Sequence, residues 1–419
     1  MTAPQILSVV LLIAVLVVAI GRRMNIGALA LAAALPVLAV SGFDAKAMYT
    51  AFPGDIFVLI AGVSLLFAHL ERSGALALVV DRVYAAIGDR HGLLPWAGFA
   101  IGAALSTAGA FSTAPIAFLV PMIAHVGVRA PRMFLLSELA VVIGANSAGL
   151  SPLNPTGAVV RTAADKAGVH YSGWGLWTVS MAVAVTVVVI LQALTALARR
   201  RGHPVEATPA PAAADEQSGP SNRGYMAASG AALIAFVALV VLAGTDVGVT
   251  AICLAALLQI AFPTAADERA LLARIPWNSI LLLCGLLTYL GLMQKIGTMD
   301  SIAEILRHLG TGALLILVIA YLTALLCNIE SSTLGVLGLM TPIAFAAFGH
   351  TGVVFWVTAA ICVPSALMVM NPIHVAGTLI IGNTAPDEQD RLFRRLLTLA
   401  GALAATAPGL LSLIPIALL

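Results

Sequence analysis

The sequence predicts an all-α polytopic membrane protein with an inverted-topology repeat. Each half has five spans plus one re-entrant hairpin, and discontinuous helices form the site. Three observations predict this. Of 419 residues, 61% are hydrophobic and 10% charged, against roughly 25% charged in a soluble domain. Apolar runs recur along the whole chain, many near the roughly 20 residues a bilayer helix needs. Motifs of the first half return in order in the second.

The first half, 1–198, opens with apolar runs at 5–21, 26–41 and 55–71. No basic region precedes the first, so it reads as a span rather than a cleaved signal. Next come the paired arms 93–109 and 113–127, read as a hairpin over 93–127. Segments 133–146 and 157–168 follow as one broken helix, 133–168, and 174–198 closes the half. Residues 199–224, rich in Pro, Ala and Ser, read as a disordered linker. The second half, 225–419, repeats the order. Its runs are 225–243, 247–263 and 277–294, then a hairpin over 312–348, a broken helix over 353–385, and 396–417.

With Arg199–Arg200–Arg201 in the cytoplasm, only Lys46, Arg161, Lys166, Lys295 and Arg307 of the 21 basic residues fall outside. The positive-inside rule therefore orients the chain with a cytoplasmic linker and external termini, in a bacterial inner membrane. A net charge of +2 gives no basis for nucleic-acid binding. Cys253, Cys284, Cys327 and Cys362 stand singly in apolar runs and read as packing residues. HExxH, GxSxG and P-loop motifs are absent, which argues against a membrane enzyme. Asp387–Asp390 follows Pro386 and precedes Arg391, so it reads as the acidic start of a helix.

The repeat rests on four ordered matches. Pro53, Gly62 and Gly74 fall on Pro276, Gly285 and Gly297. The amphipathic stretch 75–88 corresponds to 301–310. FSTAPIAFLVP (111–121) corresponds to SSTLGVLGLMTP (331–342). The Asn-Pro of 154–155 corresponds to that of 371–372. An odd number of crossings per half requires the second copy to be inverted, and matching Gly/Pro-interrupted segments point to a transporter site.

Non-helical backbone at membrane depth survives only inside protein or beside an aqueous cavity. Two kinds of break occur: the hairpin tips, 106–113 and 327–333, and the Asn-Pro breaks, 146–157 and 369–374. Helix N-termini there would favour an anion, and unwound carbonyls a cation. The candidate substrate-binding residues are Ser112, Thr113, Asn146, Ser147, Asn154, Thr156, Ser332, Thr333, Asn371 and His374. Ser112, Asn146, Ser151, Ser332, Ser365 and Asn371 are candidates for Na⁺ sites. Glu330 could hold a proton or cation. Glu138 reads as structurally paired, and His69 and Glu71 as interfacial.

The segment GANSAGLSPLNPTG (144–157), with the tips and breaks around it, resembles the ion transporter superfamily that includes the divalent anion:sodium symporters. It is most similar to the bacterial malonate/dicarboxylate carrier family. In that superfamily each tip carries Ser-Asn-Thr. Those positions fall on Phe111-Ser112-Thr113 and Ser331-Ser332-Thr333, so Thr is retained and Ser replaces Asn. The resemblance implies Na⁺ sites shared between each tip and its facing broken helix, a homodimer, and elevator-like movement.

The expected function is a secondary active transporter of a small organic anion, a dicarboxylate in class, coupled to Na⁺ or H⁺. Its partners are that anion and the lipid bilayer. No cofactor is expected beyond the coupling ion. Competing readings are a cation/proton antiporter or inorganic oxyanion exporter of the same fold, and a non-transporting scaffold or membrane enzyme.

Overall fold

A computed structural model describes residues 1–22, 24–88, 90–127, 133–201, 222–264, 267–308, 312–329 and 333–419. Helices in the first half are α1 Ala3–Arg22, α2 Ile26–Ser41, α3 Ala45–Ala51, α4 Gly54–Arg72, α5 Ala75–Ile87, α6 Leu94–Thr107, α7 Thr113–Gly127, α8 Phe134–Ala148, α9 Pro155–Lys166 and α10 Gly173–Arg200. Those of the second are α11 Arg223–Ala243, α12 Val247–Ala261, α13 Glu268–Ala273, α14 Trp277–Lys295, α15 Thr298–His308, α16 Gly312–Ile329, α17 Thr333–Phe348, α18 Val354–Leu367, α19 Val375–Gly382 and α20 Gln389–Ala417. Among the described residues, six helical stretches are long and apolar enough to cross a membrane, and eight shorter apolar helices accompany them. The chain is a polytopic helical membrane protein.

The local signals explain the boundaries. Pro53 and Pro276 precede α4 and α14, each 19 residues long. Gly74 and Gly297 end those helices at φ 76° and 75°, a left-handed conformation costly for a residue with a Cβ. Asn222 caps α11 by accepting from the Gly224 and Tyr225 amides. The expected linker is thus helical at both edges, since α10 runs through Arg200 and α11 begins at Arg223. Its middle, 202–221, lies outside the described residues. Asp390 sits in the first turn of α20, where an acidic side chain suits the helix dipole.

Two helix crossings tie the halves together. Gly27 on α2 meets the backbone of Leu281 and Leu282 on α14, and Gly285 meets Gly27 in return. Gly62 on α4 meets the Gly248 carbonyl on α12. Close approach through small residues is how membrane helices gain packing without a hydrophobic driving force. A Cβ at Gly27 would land on main-chain atoms that cannot swing aside. Gly27→Leu should therefore destabilise the fold by about 1–3 kcal/mol or more, the scale of overpacking. Thermal unfolding in detergent checks this; an unchanged melting temperature would show that the crossing tolerates separation.

His69 departs from its interfacial reading. It is fully buried, and its Nδ1 lies 2.7 Å from the Tyr225 hydroxyl on α11. The helix end that carries it is covered by a second element, which hydropathy along one segment cannot reveal. Glu71, beside it, pairs with Arg274. Cys284, Cys327 and Cys362 are buried as expected, whereas Cys253 is exposed on α12.

Candidate functional site

Both expected breaks interrupt helices. The chain leaves α6 at Thr107 and re-enters helix at Thr113. Between α8 and α9 it turns through 149–154. Between α18 and α19 it passes through a short 3₁₀ turn, Met368–Met370, and residues 371–374. The break regions of the two halves touch: Asn146 Nδ2 on α8 donates to the Ala366 carbonyl on α18 at 2.6 Å. The second arm of each hairpin also packs on the other half, α7 against α19 and α17 against α9.

The first break is closed by its own side chains. Asn154 is the N-cap of α9. Its Oδ1 accepts from the Thr156 amide at 3.0 Å. Its Nδ2 donates to the Ser106 and Ala110 carbonyls at 2.9 and 2.6 Å. Ser151 Oγ donates to the Thr107 carbonyl at 2.8 Å and accepts from the Leu153 amide at 3.2 Å. The Gly157 amide donates to the Gly149 carbonyl. Tip and broken helix are therefore one hydrogen-bonded unit.

The second break uses the same turn in a different register from the Asn-Pro match. Asn371 Oδ1 accepts from the Ile373 amide at 3.0 Å, as Ser151 does from Leu153. Asn371 Nδ2 donates to the Asn328 backbone carbonyl and Oδ1 at 3.0 and 2.9 Å, as Ser151 reaches Thr107. The His374 amide donates to the Asn371 carbonyl, as Asn154 does to Ser151. Asn371 thus corresponds to Ser151, and His374 to Asn154, each 220 residues apart. The Asn-Pro dipeptides are not equivalent. Main-chain turn geometry, rather than the dipeptide, sets the correspondence.

This register exposes an asymmetry. His374 is the N-cap of α19, with φ −77° and ψ 154°, close to the −93° and 146° of Asn154. It makes no capping hydrogen bond. The side chain is 6% exposed, yet neither Nδ1 nor Nε2 has a partner. Among the described residues, no acceptor is found for the amides of Val375, Ala376 and Gly377. The His374 carbonyl is occupied, taking the Thr378 amide and hydroxyl. Among the buried groups lacking partners are also Ser106, Ser112 and Ser147 Oγ, Thr333 Oγ1, and both carboxylate oxygens of Glu138. Each such group costs about 1–3 kcal/mol unless a partner arrives. Ser106, Ser112, Ser147, Thr333 and His374 lie at the tips and breaks, while Ser64, Tyr84, Glu138, Ser229 and Ser412 lie elsewhere.

The remaining sequence candidates fall as follows. Ser112 Oγ lies against Gly149, where an added Cβ would sit 2.6 Å away. Thr113 and Thr333 begin the second hairpin arms. The Thr156 amide is held by Asn154. Ser147 supplies its carbonyl to Ser180 Oγ at 2.9 Å. Ser365 Oγ bonds back to the Ile361 carbonyl within α18. Ser332, with Ser331 and Glu330, lies outside the described residues. Glu138 has no partner for its carboxylate, so the expected structural pairing is not found. Asn328 was missed as a site partner, although its place in the second tip was the available signal. Among the described residues, no cluster of His, Cys, Asp or Glu could hold a metal ion.

This arrangement, apolar helices interrupted where buried polar groups lie, can be set beside known proteins. Residues 1–149 match the family model described as the dicarboxylate carrier protein MatC N-terminus. The resemblance to the dicarboxylate carrier family is shown over that segment. The crystal structure of the YdaH transporter of Alcanivorax borkumensis superposes with a TM-score of 0.59 at 16% identity, covering 87% of this chain and 86% of that one. At that identity the likeness concerns the fold. No curated protein sequence matches the chain significantly.

Proposed function

We propose that the chain is a secondary active transporter of a small organic anion, a dicarboxylate in class, working by elevator-type alternating access. The matched family is named for dicarboxylate carriage, which supports the substrate class. The observation that carries the reading is the second break. A partnerless imidazole stands at the start of α19, beside main-chain amides that no described residue caps. Helix N-termini carry about half a positive charge and free donors, so a carboxylate is the group that satisfies them. The first break, closed by Asn154, anchors its tip.

In this reading the halves are inverted repeats. The reciprocal contacts α2–α14 and α4–α12, with α7–α19 and α17–α9, are what such a symmetry generates. The hairpins enter from opposite faces, with 199–224 cytoplasmic and the membrane a bacterial inner membrane. The moving unit would hold the tips and broken helices, and a homodimer would provide the frame.

Na⁺ as cargo would lie between the first tip and its break, where Ser112 Oγ faces Gly149 with no protein partner. Ser151 already donates to Thr107, and Asn371 to Asn328. At those positions main-chain carbonyls, rather than the side chains, would serve a cation. H⁺ coupling is a second reading, favoured by Glu138: a fully buried carboxylate without a partner inside a membrane helix is a functional candidate.

Uptake of labelled malonate, succinate and other C3–C6 carboxylates into proteoliposomes tests both. Accumulation should follow an imposed Na⁺ or H⁺ gradient and collapse with an ionophore for the coupled ion. If the proton is the coupling ion, Glu138→Gln abolishes proton-driven accumulation while leaving exchange of internal for external substrate. If Na⁺ is, the variant retains gradient-driven uptake. No transport of any carboxylate under either gradient would overturn the function.

A further inference from the structure

We infer that the start of α20 forms a specific seat for an amine-bearing phospholipid, independent of the transport site. Arg391, Arg394 and Arg395 lie three and four residues apart on α20, so their side chains share a face. With Asp387 and Asp390 they line an open cavity of about 740 Å³, whose lining continues along α20 through Thr398 and Leu399 to Ala402. A second cavity of about 340 Å³ adjoins it and shares Arg395 and Leu399. Its walls are leucines of three helices: Leu135, Leu136 and Leu139 on α8, Leu191 and Leu194 on α10, and Leu392 and Leu396 on α20. A charged rim therefore opens into an apolar groove at the end of a membrane helix.

The charge pattern selects the occupant. The Glu388 carboxylate acts electrostatically on Arg395, and Asp387 and Asp390 line the same cavity as the three arginines, so both signs of charge meet at this rim. Arginine offers a rigid fork of donors that fits phosphate oxygens. The aspartates would repel a headgroup of purely negative charge. A headgroup with both phosphate and ammonium satisfies both sets, the phosphate on Arg394 and Arg395 and the ammonium on Asp387 and Asp390. The acyl chain of the same molecule then fills the leucine groove. Basic pockets between membrane helices are established headgroup sites in general. The acidic pair makes this one suited to phosphatidylethanolamine over phosphatidylglycerol.

The alternative is that the arginines reach the interface and bind no particular lipid. Purified full-length protein, stripped by extended detergent washing, separates the two. It is re-exposed to equal amounts of phosphatidylethanolamine, phosphatidylcholine and phosphatidylglycerol, and bound lipid is counted by native mass spectrometry. Phosphatidylethanolamine should be retained about threefold or more over either competitor, the scale of one or two partly exposed ion pairs. R394Q/R395Q should remove the preference. Asp390→Asn, which keeps the phosphate ligands, should shift it toward phosphatidylglycerol, and it serves where the double variant does not fold. Equal retention of all three lipids overturns the proposal, as does preference for phosphatidylglycerol in the parent protein or an unchanged preference in D390N.

Discussion

His374→Asn should reduce organic-anion binding and uptake by about 10- to 100-fold while leaving the protein as stable as the parent. Asparagine is what the first half carries at the corresponding position, where Asn154 Oδ1 accepts from the Thr156 amide. At position 374 it would accept from the Ala376 amide in the same way. One main-chain donor that faces the substrate in our reading is thereby consumed, and the imidazole is removed. Hydrogen bonds to a charged group contribute about 1.5–3 kcal/mol, which sets the expected loss. Stability should hold, because asparagine is among the best N-caps and the parent residue makes no cap bond. Binding by calorimetry, with a melting curve on the same sample, separates the two effects. Unchanged affinity with unchanged stability would remove His374 from the site. Lost affinity together with a lowered melting temperature would indicate a structural histidine instead.

Much of the fold was legible because a bilayer enforces a simple code. Apolar length marks the helices, and glycine and proline mark where they stop. The apolar runs at 93–109 and 113–127 are helical over Leu94–Thr107 and Thr113–Gly127. The broken helices emerge with gaps at 149–154 and 368–374. The detail of the second break was not legible. Asn154-Pro155 and Asn371-Pro372 look alike as letters, but one asparagine caps a helix and the other braces a turn three residues earlier. Nothing local distinguishes these roles, because each is decided by which tip carbonyl lies within reach. Hydropathy likewise placed His69 at an interface, since the covering Tyr225 is 156 residues away in sequence. Burial set by distant elements is what a linear reading misses, and the partnerless groups at His374 and Glu138 belong to the same class.

Asn154→Ala should uncouple the first tip from its broken helix, with a large cost in stability and a larger one in transport. The substitution leaves the Ala110 carbonyl and the Thr156 amide without their Asn154 partner and removes one of the bonds to the Ser106 carbonyl, which keeps the Gly109 amide, all in a region sealed from solvent. Loss of the cap and of two bonds to the tip sums to about 2–4 kcal/mol. Membrane proteins recover part of such losses in their unfolded state, which favours the lower end. Transport should suffer more, because in the proposed mechanism the tip and the broken helix must travel together while holding a cation between them. Asn154→His tests the asymmetry directly. Histidine in the first half cannot span the Thr156 amide and both tip carbonyls at once. The variant should therefore melt below the parent, whereas the reciprocal His374→Asn should not. Cysteine accessibility at Ser112, read in the Ser112→Cys background, should rise when Asn154→Ala is added. If accessibility and melting temperature both stay at the parent values, the Asn154 bridge does not hold the tip, and the first break must be anchored by Ser151 and its bond to Thr107 alone.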